Sequence, residues 1–218
     1  MGMKLTTSPT CQIPLLPEIF SQIFQEKTDG YFVEVGAFDG YTYSNTWGLA
    51  ELGWSGLMIE AIHEYADKCR AMHEFHPDIK VVNEIAGSGQ SVVMYKAGEY
   101  STCSEFFRLH APAGWNPGFH LQGIEPTRKL DDILADNCGG KKIDLMVIDV
   151  EGSEKTVLES LTLCAWRPTL AIVEVHEKHH NKFLSADAHW INEYFTREGY
   201  KIIYSDDCNN IYWNEVEK

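Results

Sequence analysis

"YFVEVGAFDGYTYSNTWGLAELGWSGLMIE", Tyr31 to Glu60, decides the fold. Tyr31-Phe-Val-Glu-Val35 is a short run of β-branched and aromatic residues and reads as a strand. Gly36 to Gly40 forms a glycine-bounded turn, Ser44 to Leu52 takes helical spacing, and Gly56-Leu-Met-Ile59 is a second apolar strand closed by Glu60. A strand, turn, helix and strand within so few residues make a βαβ unit, whose two strands lie parallel.

The same alternation continues on both sides. Upstream, Ile19, Phe20, Ile23 and Phe24 lie at helical spacing behind Pro17, so a leading helix is expected over Pro17 to Gln25. Downstream the pattern predicts helix His63–Phe75, strand Ile79–Val82, helix Leu130–Asp136, strand Ile143–Ile148, helix Ser153–Leu163 and strand Leu170–Val175. Helix Ala188–Glu198 and strands Lys201–Tyr204 and Ile211–Trp213 follow. The expected fold is α/β: a Rossmann-like, doubly wound, mostly parallel seven-stranded sheet with helices on both faces. With 218 residues, 44% of them hydrophobic, one domain over 1–218 is expected, with a helical lead over about 1–28. Ala97 to Glu125 breaks the pattern with Tyr100, Phe106, Phe107, Trp115 and Phe119 among turn-forming prolines and glycines. It reads as an insert, either a binding loop or lid, or a short helix around Ser104 to His110 packed on the sheet edge.

Composition excludes several classes. A formal charge of −14, from 32 acids against 18 lysines and arginines, repels a phosphate backbone, so nucleic acid is not an expected partner. The six cysteines are scattered, without a C-x-x-C pair, as in reduced cytoplasmic proteins. Neither a signal-peptide pattern nor an apolar run of about 20 residues is visible, so the expected location is cytoplasmic and away from membranes.

In open α/β sheets, ligands bind at the carboxyl ends of the strands. The first such end, Glu34-Val-Gly36-Ala-Phe-Asp39-Gly40, lacks the G-x-G-x-x-G spacing of a dinucleotide site, and Asp39 would repel a phosphate. Glu34 and Asp39 suit a cation instead. S-adenosylmethionine carries an ammonium and a sulfonium, and Glu60 ends the next strand where a carboxylate can accept both ribose hydroxyls. The plainer reading of Glu34, Asp39 and Glu60 is that each caps a following helix.

Two later strand ends add a second cluster. Period 2 puts Asp149 and Glu151 on one side after the strand ending at Ile148, and Glu174 and His176 on one side of the next. Asp149, beside the glycine turn, is a candidate for both the cofactor and the catalytic site. His176 is a candidate general base, with Asp149 and Glu151 as catalytic partners; alternatively Asp149, Glu151 and Glu174 hold a divalent metal such as Mg²⁺. The plainer readings are that Asp149, Glu151 and Glu154 cap the helix at Ser153 and that His176 is a surface histidine. His176-Glu177-Lys178-His179-His180 also satisfies H-E-x-x-H, but zinc binding by that motif needs a helix. The preceding apolar run instead makes His176 a strand-end residue, which leaves a zinc-dependent hydrolase as the remote alternative.

The stretch "EVGAFDGYTYSNTWGLAELGWSGLMIEA", with "KLDDIL", "IDLMVIDVEGSEKTVLESL" and "RPTLAIVEVHE" in the same order, resembles the FkbM-family methyltransferases, class I S-adenosylmethionine-dependent enzymes. Ala61 departs from that pattern, where a proline commonly follows the ribose-binding acid. The resemblance implies that Gly36, Asp39 and Gly40 line the methionine end, that Ser44 and Asn45 reach its carboxylate or ammonium, and that Glu60 holds the ribose. Asn83 to Ala86 is a candidate adenine edge. The implied activity is O-methylation of a hydroxyl on a carbohydrate or related natural product. The alternative of another class is an inactive domain that binds S-adenosylmethionine or a glycan.

Overall fold

The computed structural model describes residues 8–25, 27–110, 118–175 and 182–215. Its elements, in chain order, are α1 (Leu16–Phe24), β1 (Tyr31–Val35), α2 (Trp47–Glu51), β2 (Ser55–Glu60), α3 (His63–Met72), β3 (Ile79–Asn83), β4 (Ser91–Lys96), α4 (Glu105–His110), β5 (His120–Pro126), α5 (Leu130–Asn137), β6 (Leu145–Ile148), α6 (Glu154–Glu159), α7 (Leu163–Trp166), β7 (Leu170–Glu174), α8 (Lys182–Arg197), β8 (Lys201–Ser205) and β9 (Asn209–Trp213).

Seven strands form one sheet in the order β3-β2-β1-β6-β7-β9-β8. Strands β3 to β7 of that order pair in parallel, while β9 runs antiparallel to both β7 and β8. The register aligns Val35 with Ile59 and Ile148, so β1, β2 and β6 end at one edge. Between β1 and β6 the strand order reverses, which opens a crevice there for a ligand.

Burial follows the period-2 alternation of the strands. Tyr31, Val33 and Val35, with Leu57, Ile59, Met146, Ile148, Ala171 and Val173, face a core completed by Leu130, Ile133 and Leu134 of α5, Val157 and Leu158 of α6, and Phe195 of α8. Phe32, Met58, Leu145, Val147, Leu170 and Ile172 face the opposite core, filled by Leu16, Phe20 and Phe24 of α1, Leu49 of α2 and Cys69 of α3. Central strands buried on both faces explain why they read as continuous apolar runs.

Three stretches differ from the sequence reading. The expected helix Ser153–Leu163 divides into α6 and α7, because Ser160 Oγ accepts the Leu130 N–H (2.9 Å) and Thr162 N–H donates to Asp131 Oδ1 (2.8 Å). These bonds take the chain to the start of α5 instead of along a helix. Among its described residues the 97–125 insert contains α4, in agreement with the short helix offered around Ser104 to His110, and the unexpected strand β5, which pairs antiparallel with β4 as a separate hairpin. Helix α8 begins at Lys182, six residues before the expected Ala188.

Phe195 stacks on Tyr212, centroids 4.1 Å apart and planes 11° apart, joining α8 to the antiparallel end of the sheet. Both rings are fully buried. Phe195→Ala should lower the unfolding free energy by about 3–5 kcal/mol, read from urea denaturation. A loss below about 1 kcal/mol would show that α8 does not depend on this stack.

Candidate active site

The carboxyl edge of the sheet holds two joined clefts. One, of about 590 Å³ and open to solvent, is lined by Val35, Ile59, Ile85, Ala86, Met94, Phe38 and Tyr65, with Glu60 and Glu84 at its wall. The other, of about 810 Å³, is more polar and is lined by Glu34, Thr42, Ser44, Asn45, Glu99, Tyr100, Glu174 and Asn209. Gly36, Phe38, Glu99, Asp149 and Glu151 border both.

Gly36 joins the two strand ends. Its φ is +89°, and a Cβ there would lie 1.7 Å from the Asp149 carbonyl oxygen, so glycine alone fits. Glu34, just before it, is buried and receives hydrogen bonds from Thr46 Oγ1 (2.7 Å), Ser44 Oγ (3.3 Å) and the Asn45 N–H (3.4 Å). Burial pushes its carboxyl up to about 7 despite those donors. Ser44 also accepts the Trp47 N–H (3.1 Å), so it caps the short α2 while lining the polar cleft. α2 itself begins at Trp47 and not at Ser44.

Glu60 is buried at the end of β2, where Oε2 accepts the Phe38 N–H (2.8 Å) and Oε1 the Ile62 N–H (2.7 Å). Burial raises it to about 7, opposed by these donors. Asp39 and Gly40 are placed differently from the other glycine-turn candidates. The Asp39 carboxylate accepts the Tyr41 and Thr42 N–H groups and the Thr42 hydroxyl (2.9, 2.7 and 2.7 Å), which shapes the turn. Gly40 packs on α3, with a Cβ position only 2.8 Å from Cys69 Sγ and His73 Nε2. Neither is among the residues bordering the clefts.

The second cluster forms where β6 and β7 end. Carboxylate oxygens of Asp149, Glu154 and Glu174 lie within 4.8 Å of one another. Glu154, read from sequence as a helix cap, is buried; its Oε1 accepts the Val150 and Gly152 N–H groups (both 3.0 Å). It is therefore both a cap and a member of the acid cluster, a double role that spacing alone does not reveal. Glu151 adopts a left-handed conformation (φ 56°), which ends the strand alternation, yet its side chain still borders both clefts. Its Oε2 is buried without a hydrogen-bond partner. Burial, then repulsion from neighbouring acids, raises Glu151 and Glu174 well above the ordinary carboxylate range. The carboxylates of Asp149 and Glu154 beside it are among the causes that raise Glu174.

The insert closes one side. Glu99, Ser101, Thr102 and Cys103 line the apolar cleft, and Thr102 Oγ1 donates to the Glu151 carbonyl (2.7 Å). Among the expected adenine-edge residues, Glu84, Ile85 and Ala86 line this cleft, while Asn83 Nδ2 donates to the Glu60 and Ala61 carbonyls (2.8 and 2.9 Å). His176, Glu177, His179 and His180 lie outside the described residues; β7 ends at Glu174, two positions before His176.

Three solved structures share the fold. An O-methyltransferase from Bacillus cereus in complex with SAH aligns at 14% identity over 94% of this chain and 84% of its own, with TM-score 0.53. A Staphylococcus aureus protein described as a caffeoyl-CoA O-methyltransferase aligns at 12% over 95% and 86%, TM-score 0.54. The precorrin-6y C5,15-methyltransferase from Geobacter metallireducens aligns at 11% over 99% and 98%, TM-score 0.50. The fold is thus that of the Rossmann-like methyltransferases. The family described as "Methyltransferase FkbM domain" matches residues 34–202, and the chain belongs to it: it is an S-adenosylmethionine-dependent methyltransferase. No curated protein sequence matches the chain. Among the described residues, no helix is long and apolar enough to cross a membrane.

Glu34 gives the site a testable pH signature. Between about pH 4.5 and about 7 an unfolded Glu34 has lost its proton while the folded one keeps it, so raising the pH through this window lowers stability. Glu34→Gln retains a hydrogen bond to Thr46 without the charge. Its urea midpoint should vary less with pH over this window than that of the wild type, and equal slopes would contradict a protonated buried Glu34.

Proposed function

We propose that this methyltransferase transfers a methyl group to a hydroxyl of a carbohydrate or related natural product. The observation that carries this reading is the polar cleft: Gln12, Glu99, Tyr100 and Asn209 offer hydrogen-bonding groups, carboxylates surround them, and no lysine or arginine is among the lining residues. Such walls suit a neutral polyhydroxylated acceptor and disfavour a phosphorylated one. That two structural neighbours are described as O-methyltransferases adds support.

The residues fit the cofactor. An apolar slot with a buried carboxylate at its end suits a nucleoside, and Glu60 keeps lone pairs for the ribose hydroxyls beyond those given to Phe38 and Ile62. Glu34, Gly36, Ser44, Asn45 and Asp149 border the region proposed for the methionine end, whose positive charge matches the acidic walls. Bound S-adenosylmethionine supplies an activated methyl group on a sulfonium. Asp39 and Gly40 contribute by fixing the turn. The acceptor's hydroxyl proton passes to a base at the second cluster, proposed as His176 or as a carboxylate of Asp149 or Glu151. The 97–125 insert, which reaches the cleft through Glu99 to Cys103, is proposed to select the acceptor.

A second reading of the cluster rests on one observation: Asp149, Glu154 and Glu174 present three closely spaced oxygens, a donor set that suits a hard divalent cation. In that case the cation would acidify the hydroxyl, with Glu154 in the place that sequence spacing gave to Glu151.

Calorimetric titration with S-adenosylmethionine tests the cofactor assignment. Glu60→Ala should weaken binding at least about tenfold, or about 1.4 kcal/mol, and unchanged affinity would remove Glu60 from the site. Titration with Mg²⁺ alone separates the two readings of the cluster. Heat of binding that disappears in Glu174→Gln supports the cation, whereas no heat, with transfer unaffected by a chelator, leaves proton removal to the side chains.

A further inference from the structure

Behind the glycine turn, outside both clefts, two histidines and a glutamate form a hydrogen-bonded chain. His73, at the end of α3 and only 4% exposed, places Nε2 3.1 Å from the Gly40 carbonyl oxygen and Nδ1 3.0 Å from His76 Nδ1. His76 Nε2 lies 3.0 Å from Glu51 Oε1 on α2. Trp47 packs against both imidazoles, with centroids 5.3 and 5.4 Å away, and Tyr41 meets Trp47 edge-on.

The acceptors at the two ends of this chain fix its protons. A carbonyl oxygen only accepts, so His73 Nε2 carries a hydrogen; the Glu51 carboxylate only accepts, so His76 Nε2 carries one too. The two Nδ1 atoms share one more. Two neutral imidazoles hold two ring protons, and this chain needs three. The pair therefore carries one net positive charge, balanced by Glu51. Burial lowers the basicity of His73, and His76 is the ring that meets Glu51. Cys69 on α3 lies beside His73 at Gly40, and Tyr41 on the turn lies against Trp47.

The chain grips the far end of the turn. The near end is fixed by the Gly36 and Ala37 N–H groups on the Ile59 carbonyl and by Phe38 N–H on Glu60. Between the two ends stands Phe38, held at φ 48°, a conformation that needs support from both sides, and its side chain borders both clefts.

We propose that His73 and His76 are proton-linked positioning residues for the cofactor turn: while the pair keeps its third ring proton all three hydrogen bonds hold, and losing it breaks one, so that His73, and with it the Gly40 carbonyl, is held less firmly and cofactor binding weakens. The proposal rests on the reading that these clefts hold S-adenosylmethionine.

The test combines imidazole ¹⁵N NMR of the free protein with calorimetric titration of S-adenosylhomocysteine from about pH 6 to about pH 9, using wild type, His76→Gln and His73→Gln. NMR should show one cationic and one neutral ring at neutral pH, losing a proton as a unit at higher pH. Wild-type affinity should fall by a few-fold to about tenfold across that loss. His76→Gln should bind more weakly at low pH and lack this fall; titration of the ligand's own amine is common to all three proteins and cancels in the comparison. His73→Gln, whose amide can still donate to Gly40, should bind better than His76→Gln at high pH. Superimposable pH profiles for wild type and His76→Gln, or two neutral rings at neutral pH, would overturn the proposal. Should a variant fail to fold, the wild-type NMR decides alone. Absence of ligand binding at every pH, with the shared proton present, would instead count against the cofactor reading.

Discussion

Two backbones meet at Gly36: a Cβ there would lie 1.7 Å from the Asp149 carbonyl oxygen, so the ends of β1 and β6 come together where no side chain fits. This contact makes the glycine turn and the acidic turn one wall. Glu34 and Gly36 come from one strand end, Asp149 and Glu151 from the other, and the parallel register that aligns Val35 with Ile148 brings them level. The neighbouring features are arranged around that seam: the apolar cleft at the end of β2, the polar cleft toward β7, and the insert tied to the Glu151 carbonyl through Thr102.

The central sheet was legible in the sequence because its strands are buried on both faces. Tyr31–Val35, Leu145–Ile148 and Leu170–Glu174 consist of buried residues, and the acids among them, Glu34 and Glu174, stand at or next to the strand ends, so the apolar runs stay recognisable. The β4–β5 hairpin was not legible for the opposite reason. Val93 and Ile124 are exposed, β5 contains Gly123 and Pro126, and little alternation survives to mark it. The break between α6 and α7 was equally hidden, since Ser160 and Thr162 are satisfied by residues thirty positions away in the chain.

At the site, residue type was legible and direction was not. Glu60 stands where a strand-end acid should stand, at the wall of an apolar slot. Asp39 occupies an equally suggestive position, but two backbone N–H groups only two and three residues ahead of it are nearer than any ligand, and local bonding of this kind is what short acids at turns favour. Glu154 shows the converse: a residue whose spacing marks it as a cap can use one oxygen for the cap and still face the cluster. The left-handed Glu151 explains why period-2 extrapolation beyond Ile148 could not tell which acids converge.

So many carboxylates can share one wall only because some keep their protons. Glu34 and Glu60 stand at about 7, and burial and neighbouring acids hold Glu151 and Glu174 well above the ordinary carboxylate range. A cation arriving among them reverses the sign of the local field, lowers each neighbouring carboxyl and drives protons off. Binding of a positively charged cofactor is thereby linked to proton release, and the same acids that weaken the folded chain when ionised alone become its complement once the charge is present. That linkage places the acids that ionise on binding beside the proposed acceptor cleft, where a carboxylate is needed as a base only after the cofactor has bound.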